Sequence, residues 1–289
     1  MPELPEVEVV KRSLENSICN LPIKDIEVNE ANLRYKVIKE EINQIIGLKI
    51  LSIKRRSKYL LFFFTKGVVM IAHLGMTGKF FVINKNQIKN RTSFYYNLDE
   101  IKNNKHDHIV FTFYNNSKLI YNDVRKFGFI KFEKFSKLKD NRHLKMLGPE
   151  PLKNLFNFKY FKNYIEKKNR IIKDLLMDQK FVSGLGNIYV NEILYFSQIK
   201  PTRRTIKLKD IDIKRILKNT KKILKKAISF GGSSIKNFSS SNGKNGSFQQ
   251  YFAVYGKKGS NCSNSDCNGN IKKIVLLNRS SFFCSKCQK

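Results

Sequence analysis

The chain has 289 residues, enough for a sizeable core in one large domain or in two to three smaller ones. Its 56 Lys and Arg outweigh 23 Asp and Glu, and the net charge of +33 points to a polyanionic partner. An AT-rich genome would also raise the lysine content, yet an imbalance of this size favours nucleic acid. No apolar stretch approaches a membrane span, since the longest, Tyr59 to Phe64, has the length of one strand.

The opening MPELPEVEVV has neither the basic start nor the apolar run of a signal peptide. Pro5 suits a first helical turn, Glu6 and Glu8 suit its positive end, and Val7, Val10, Leu14 and Ile18 share one face. A helix is expected from about residue 5. Met1 to Glu3 are left over. If the small second residue lets Met1 be trimmed, Pro2 becomes a free secondary amine beside a carboxylate. A plain helix leader and a reactive terminus both remain open.

From Leu48 to about Phe135 the chain reads mostly β, in runs rich in β-branched and aromatic residues. RRSKYLL puts Lys58 in a strand, where a lone lysine is usually a solvated face. AHLGMTG and YNDVRKFG each end a strand in a turn carrying large groups: His73, Met76, Arg125 and Phe127. An apolar wedge beside an arginine suits insertion into a base stack, although taken alone Met76 and Phe127 read more readily as core.

LGPEP punctuates the change to a helical region. Ile171, Ile172, Leu175 and Leu176 keep helical spacing, as do Ile213, Ile216, Leu217, Leu224 and Ile228 before a stop at Gly231-Gly232. In SGLGNIYVNEILYF, Gly184, Gly186 and Asn187 would open a helix whose free N–H groups can take a phosphate, or simply form a tight turn. Ser233 to Ser247 reads as a mobile loop. Cys262, Cys267, Cys284 and Cys287 then form C-x4-C, sixteen residues, C-x2-C, the spacing of a tetrahedral zinc site. LLNRSSFF, between the two pairs, places Arg279 near a hairpin tip as a natural phosphate contact. Cys19 stands apart as an ordinary thiol. No internal repeat is evident, and the parts add up to a β domain, a helical domain and a small metal knuckle.

MPELPEVE, RRSKYLL, HLGMTG, KHDH, DVRKFG, LGPEPL, GLGNIYVNE, VYGKKG and RSSFFCSKCQK, in this order, resemble the bacterial formamidopyrimidine-DNA glycosylases along the whole chain. The resemblance implies an α+β multi-domain protein: an N-terminal β-sandwich with its leading helix over 1–136, a helix–two-turn–helix domain over 137–235, and a lesion loop with a C-terminal zinc hairpin over 236–289. It implies a bifunctional glycosylase and apurinic-site lyase of base excision repair that excises oxidised purines from duplex DNA, a monomer in the bacterial cytoplasm with one structural zinc ion. Pro2 would be the nucleophile and Glu3 the acid, with Glu6, Lys58 and Arg279 in support. Met76, Arg125 and Phe127 would fill the void left by the flipped base, and His73, His106, Lys168, Lys173, Asn187 and Tyr255 would contact DNA. The segment from Phe238 to Gln250 would close over the flipped base.

Three departures stand out. The first cysteine pair is C-x4-C where the family usually has C-x2-C, which bears on metal affinity. Val124 and Lys126 replace a usual Pro and Arg, and the SSSNGKNGS loop is more polar than usual, which bears on lesion preference. Two other readings compete: an endonuclease VIII-like enzyme for oxidised pyrimidines, and a non-catalytic zinc-ribbon DNA-binding protein. Pro2 and Glu3, which a pure binder has no reason to keep, speak against the second.

Overall fold

The computed structural model describes residues 2–84, 86, 89–91, 104–233 and 248–289. The chain divides into two compact units, one of Met1–Lys145 with Phe230–Ser247, the other of Met146–Ser229 with Phe248–Lys289.

The first unit opens with helix α1 (Leu4–Ile18), which buries the face of Val7, Val10, Leu14 and Ile18 anticipated from their spacing. Two antiparallel sheets follow. The five-stranded sheet runs in the order β1 (Ile23–Val28), β7 (Asp107–Phe113), β8 (Lys118–Asp123), β5 (Gly78–Ile83), β6 (Lys89–Arg91). The four-stranded sheet runs β2 (Ile50–Arg56), β3 (Tyr59–Phe64), β4 (Val68–His73), β9 (Phe129–Lys134). A short helix α2 (Lys39–Asn43) precedes β2.

Alternation decides which side chains meet. Ile109, Phe111 and Phe113 of β7 point into the core that Ile53, Leu60, Phe62, Met70 and Ile130 enter from the other sheet. The rings of Phe62 and Phe80 pack at 5.6 Å across the two layers. Each such side chain contributes roughly 1.5–3 kcal/mol by leaving water. The sandwich expected for this part of the chain is present.

The second unit holds helices α3 (Phe158–Ile165), α4 (Ile172–Met177), α5 (Asn187–Phe196) and α6 (Asp210–Ser229), and the hairpin of β10 (Ile271–Leu276) with β11 (Arg279–Cys284). Asn157 caps α3 by accepting the Tyr160 amide at 2.9 Å. α6 buries Ile213, Ile216, Ile223, Leu224 and Ala227 and stops before Gly231 and Gly232, both at positive φ. The hairpin packs on α5, and its small core joins Tyr195, Ala253 and Val254 to Ile271, Phe282 and Cys284. Among the described residues no helix is long and apolar enough to cross a membrane.

Candidate active site and nucleic-acid contacts

In the first unit Pro2 is buried, as are Glu3 at 3% and Glu6 at 2% exposure. A reciprocal capping box fixes it: the Glu6 amide donates to the Glu3 carboxylate, and the Glu3 amide donates to Glu6 Oε2 at 2.9 Å. The other Glu6 oxygen accepts the Ser233 amide at 2.8 Å and the Ser233 hydroxyl at 2.9 Å. Glu6 therefore orients residue 3 and anchors residue 233. Pro2 sits directly before this cap, at the positive end of α1, where a carboxylate such as Glu3 is favoured. Met1 and the 238–247 part of the expected closing segment lie outside the described residues.

Lys58 departs from the strand expected for it. It lies with Ser57 in the two-residue turn between β2 and β3, where Arg56 pairs with Tyr59, and it is buried at 7% exposure. Ser57 takes positive φ (56°) there, a conformation usually announced by Asn or Gly, so the turn carried no sequence signal.

Two turns project the wedge candidates. After β4, Met76 is 39% exposed, and after β8, Phe127 is 44% exposed. The Arg125 guanidinium lies 4.4 Å from the centre of the Phe127 ring. The turns touch through backbone. Gly75 has φ +57°, and a Cβ on it would come within 2.4 Å of the Phe127 carbonyl carbon. An open recess of about 560 Å³ runs beside them, lined by Arg34, His73, Met76, Arg125, Lys126 and Phe127. Arg34 escaped the sequence reading because nothing in NLRYK marks it.

His73 is a neutral donor in this arrangement. The Gly75 amide donates to His73 Nδ1 at 3.0 Å, so that nitrogen carries no proton and the hydrogen is on Nε2. Burial, helped by the charges of Lys58 and Arg34, pulls its pKa down to about 4. His106 lies in the turn before β7, its ring 6.2 Å from that of His108.

In the second unit, Gly186 caps α5 and Asn187 begins it, as anticipated. Arg279 opens β11 and is exposed beyond a two-residue turn of Leu277 and Asn278, both at positive φ. Lys173 needs correcting. Expected on DNA, it is 1% exposed, and its ammonium donates to the Ser280 carbonyl at 3.0 Å and to the Ser281 hydroxyl at 2.6 Å. A buried ammonium needs fixed partners, and here it braces the strand that carries Arg279. Asn187 Nδ2 donates to the same Ser280 carbonyl at 3.0 Å. Lys168 is half-buried, its ammonium 3.2 Å from the centre of the Tyr164 ring. The Tyr255 amide donates to Glu192, a buried carboxylate that also accepts the Ala253 and Val254 amides.

The cysteine sulfurs all lie within 4.8 Å of one another, with Cys262–Cys287 at 3.6 Å and Cys267–Cys284 at 3.7 Å. Thiolates around a tetrahedral ion with ~2.3 Å bonds stand roughly 3.8 Å apart, so this cluster can hold a metal. The longer C-x4-C knuckle does not prevent convergence. The Asn264 carbonyl accepts the Cys267 amide at 3.0 Å, and the Tyr195 hydroxyl lies 3.2 Å from Cys262 Sγ.

Comparison with known proteins bears on the whole chain. Residues 1–130 match the formamidopyrimidine-DNA glycosylase N-terminal domain, and residues 147–239 match the formamidopyrimidine-DNA glycosylase H2TH domain. The formamidopyrimidine-DNA glycosylase of Rickettsia bellii is 39% identical over 289 residues, covering both chains completely, and that of Roseobacter denitrificans is 36% identical over the same span. Among solved structures, a complex between the Lactococcus lactis Fpg and DNA containing an abasic site superposes with a TM-score of 0.85 at 36% identity, covering 99% of each chain. Complexes of that protein with an oxidised-pyrimidine DNA, and of a mutant of it with a Fapy-dG DNA, superpose with TM-scores of 0.84 and 0.86 at 35% identity, each covering both chains completely. Identity above a third, sustained from end to end on one shared fold, makes this chain a member of the formamidopyrimidine-DNA glycosylase family.

Proposed function

We propose that this DNA glycosylase of base excision repair is bifunctional, releasing oxidised purines such as 8-oxoguanine and formamidopyrimidines from duplex DNA and then cleaving the strand by β,δ-elimination. The observation that carries the reading is the buried Pro2–Glu3 terminus held by Glu6. Once Met1 is removed, the Pro2 nitrogen attacks C1′ of the damaged nucleotide and the glycosidic bond breaks. Glu3 protonates the opening sugar. The secondary amine yields an iminium that stays cationic, so it draws electrons while the strand phosphates leave and Glu3 moves the protons. An α-amine titrates near ~7.7–8.0 against ~10.4 for lysine, although a proline nitrogen is more basic and needs tuning by its surroundings.

The base must leave the stack at a cost of a few kcal/mol. In this reading Met76 and Phe127 replace the lost stacking and Arg125 faces the orphaned partner. His73, His106, Lys168, Asn187 and Tyr255 contact the DNA, and Lys58 and Arg279 grip the phosphates around the lesion. Lys173 acts through the hairpin. The thiol set and its sulfur spacing support zinc as the metal, with Cys262, Cys267, Cys284 and Cys287 as ligands. Zinc there holds the hairpin and supplies no reaction chemistry. A duplex-DNA substrate supports a cytoplasmic enzyme working at the nucleoid, and the reading takes it as a monomer.

The Lactococcus lactis complex with oxidised-pyrimidine DNA motivates a second reading, an enzyme acting on oxidised pyrimidines, that the same assay separates. Replacing Glu3 by Gln should leave affinity for an 8-oxoguanine:cytosine duplex within about threefold while base release falls by at least about 10²-fold. Normal excision by that variant would sink the mechanism. Faster turnover by the unmodified chain on an oxidised-pyrimidine duplex would move the substrate class to the second reading.

A further inference from the structure

The wedge side chains would enter DNA; beneath them lies a residue that would not. Asp123 ends β8 with 0% exposure. Its Oδ1 accepts the Thr77 hydroxyl. The Arg125 amide lies 3.0 Å from that hydroxyl oxygen and 3.3 Å from Oδ1. Its Oδ2 accepts the Gly128 amide at 2.7 Å and the Tyr121 hydroxyl at 3.2 Å. Behind the carboxylate, His108 Nε2 donates to the Asp123 carbonyl at 2.8 Å. One side chain thus joins residue 77, next to Met76, to residues 125 and 128, which bracket Phe127. The fit has little slack, since a Cβ on Gly128 would come within 2.0 Å of the Tyr121 hydroxyl oxygen.

We propose that Asp123 is a positioning residue for base extrusion, locking the Met76 turn and the Arg125–Phe127 turn into one rigid wedge. The proposal rests on the wedge reading given above. A carboxylate suits the task because both oxygens accept and neither donates. An asparagine would keep the shape but turn an NH2 toward either the Gly128 amide and Tyr121 hydroxyl or the Thr77 hydroxyl and Arg125 amide. The hydroxyls can turn to accept, but the backbone N–H in that half, of Gly128 or of Arg125, then faces a donor and the half of the clamp it belongs to is broken. The wedge must push as a unit, because unstacking a paired base is the step that opposes it.

The test uses the full metal-bound chain carrying Asp123→Asn or the milder Thr77→Val. One duplex holds 8-oxoguanine opposite cytosine with 2-aminopurine beside the lesion; the other holds a preformed abasic site. Asp123→Asn is expected to slow the 2-aminopurine rise and single-turnover base release about tenfold or more, and Thr77→Val by a smaller factor. Strand cleavage at the abasic site, where no base is extruded, changes by less than about threefold. Equal losses on both duplexes would reduce Asp123 to a fold-stabilising residue, and no loss on either would remove its role; each overturns the proposal. If Asp123→Asn does not fold, Thr77→Val decides by the same criterion. Phe127→Ala, measured alongside, separates the two readings. Unchanged extrusion in that variant would overturn the wedge and the clamp with it, whereas slowed extrusion with a normal Asp123→Asn would overturn the clamp alone.

Discussion

The turn carrying Phe127 and the hairpin tip carrying Arg279 both hold an exposed side chain on a few residues of backbone, yet their foundations differ. Phe127 stands on a two-sheet core that includes Phe80, Phe111 and Tyr121, and hydrogen bonds to one buried carboxylate are enough to fix its turn. Arg279 stands on two strands and a cluster of a few side chains, a unit that is marginal in water by itself. There the thiol cluster on one side and Lys173 with Asn187 on the other supply what the core lacks. A large core can position a side chain by hydrogen bonds alone; a small one needs a metal or a buried ion.

Removing the metal should break the comparison most sharply. A chelator, or Cys284→Ser, is expected to weaken DNA binding on the order of a hundredfold through the hairpin. Fluorescence anisotropy on an abasic-site duplex reads this, and unchanged affinity would show the hairpin stands without metal. Lys173→Met comes next. It takes the donor from the Ser280 carbonyl and the Ser281 hydroxyl, at a cost of about 1–3 kcal/mol read from the denaturant midpoint. DNA affinity should fall with it although the Lys173 ammonium is buried against the hairpin.

Acid should act on the wedge side instead. The folded pKa of His73 lies at about 4 against an ordinary 6.5, so the unfolded chain takes up the proton first as pH falls. The stability tied to neutral His73 is complete above about pH 6.5 and is lost as pH falls toward 4. Melting temperatures between pH 7 and 4.5 should fall less steeply for His73→Gln; parallel curves would contradict the assignment. The smallest effect belongs to Arg279→Ala, which should weaken binding across sequences and lower the salt slope by about one unit.

What the chain shows on reading and what it hides have a physical division. α1, the β runs and α6 were legible because burial repeats along the chain with the period of the element, as in Val7, Val10, Leu14 and Ile18. The cysteines were legible because a metal site restricts residue type as well as spacing. Lys58 was misplaced because the turn that buries it sets Ser57 at positive φ, where an Asn, Asp or Gly would have announced a hairpin turn. Asp123, Glu192 and Arg34 were missed for another reason. Their roles come from partners far apart in sequence, such as Thr77 with Asp123 or Glu192 with the amides of 253–255, and such pairing leaves no periodic mark. The resemblance put Lys173 among the DNA contacts, and its burial and its bonds to the Ser280 carbonyl and Ser281 hydroxyl, which no sequence pattern shows, give it to the hairpin.

The central claim is that the chain reacts through its own N-terminal proline. Borohydride trapping on a duplex with one 8-oxoguanine opposite cytosine, followed by mass mapping of the cross-linked peptide, tests it directly. The account predicts a covalent adduct on Pro2 in a chain that has lost Met1. An adduct on a lysine, or intact DNA binding with no adduct on either purine-lesion or pyrimidine-lesion duplexes, would contradict it.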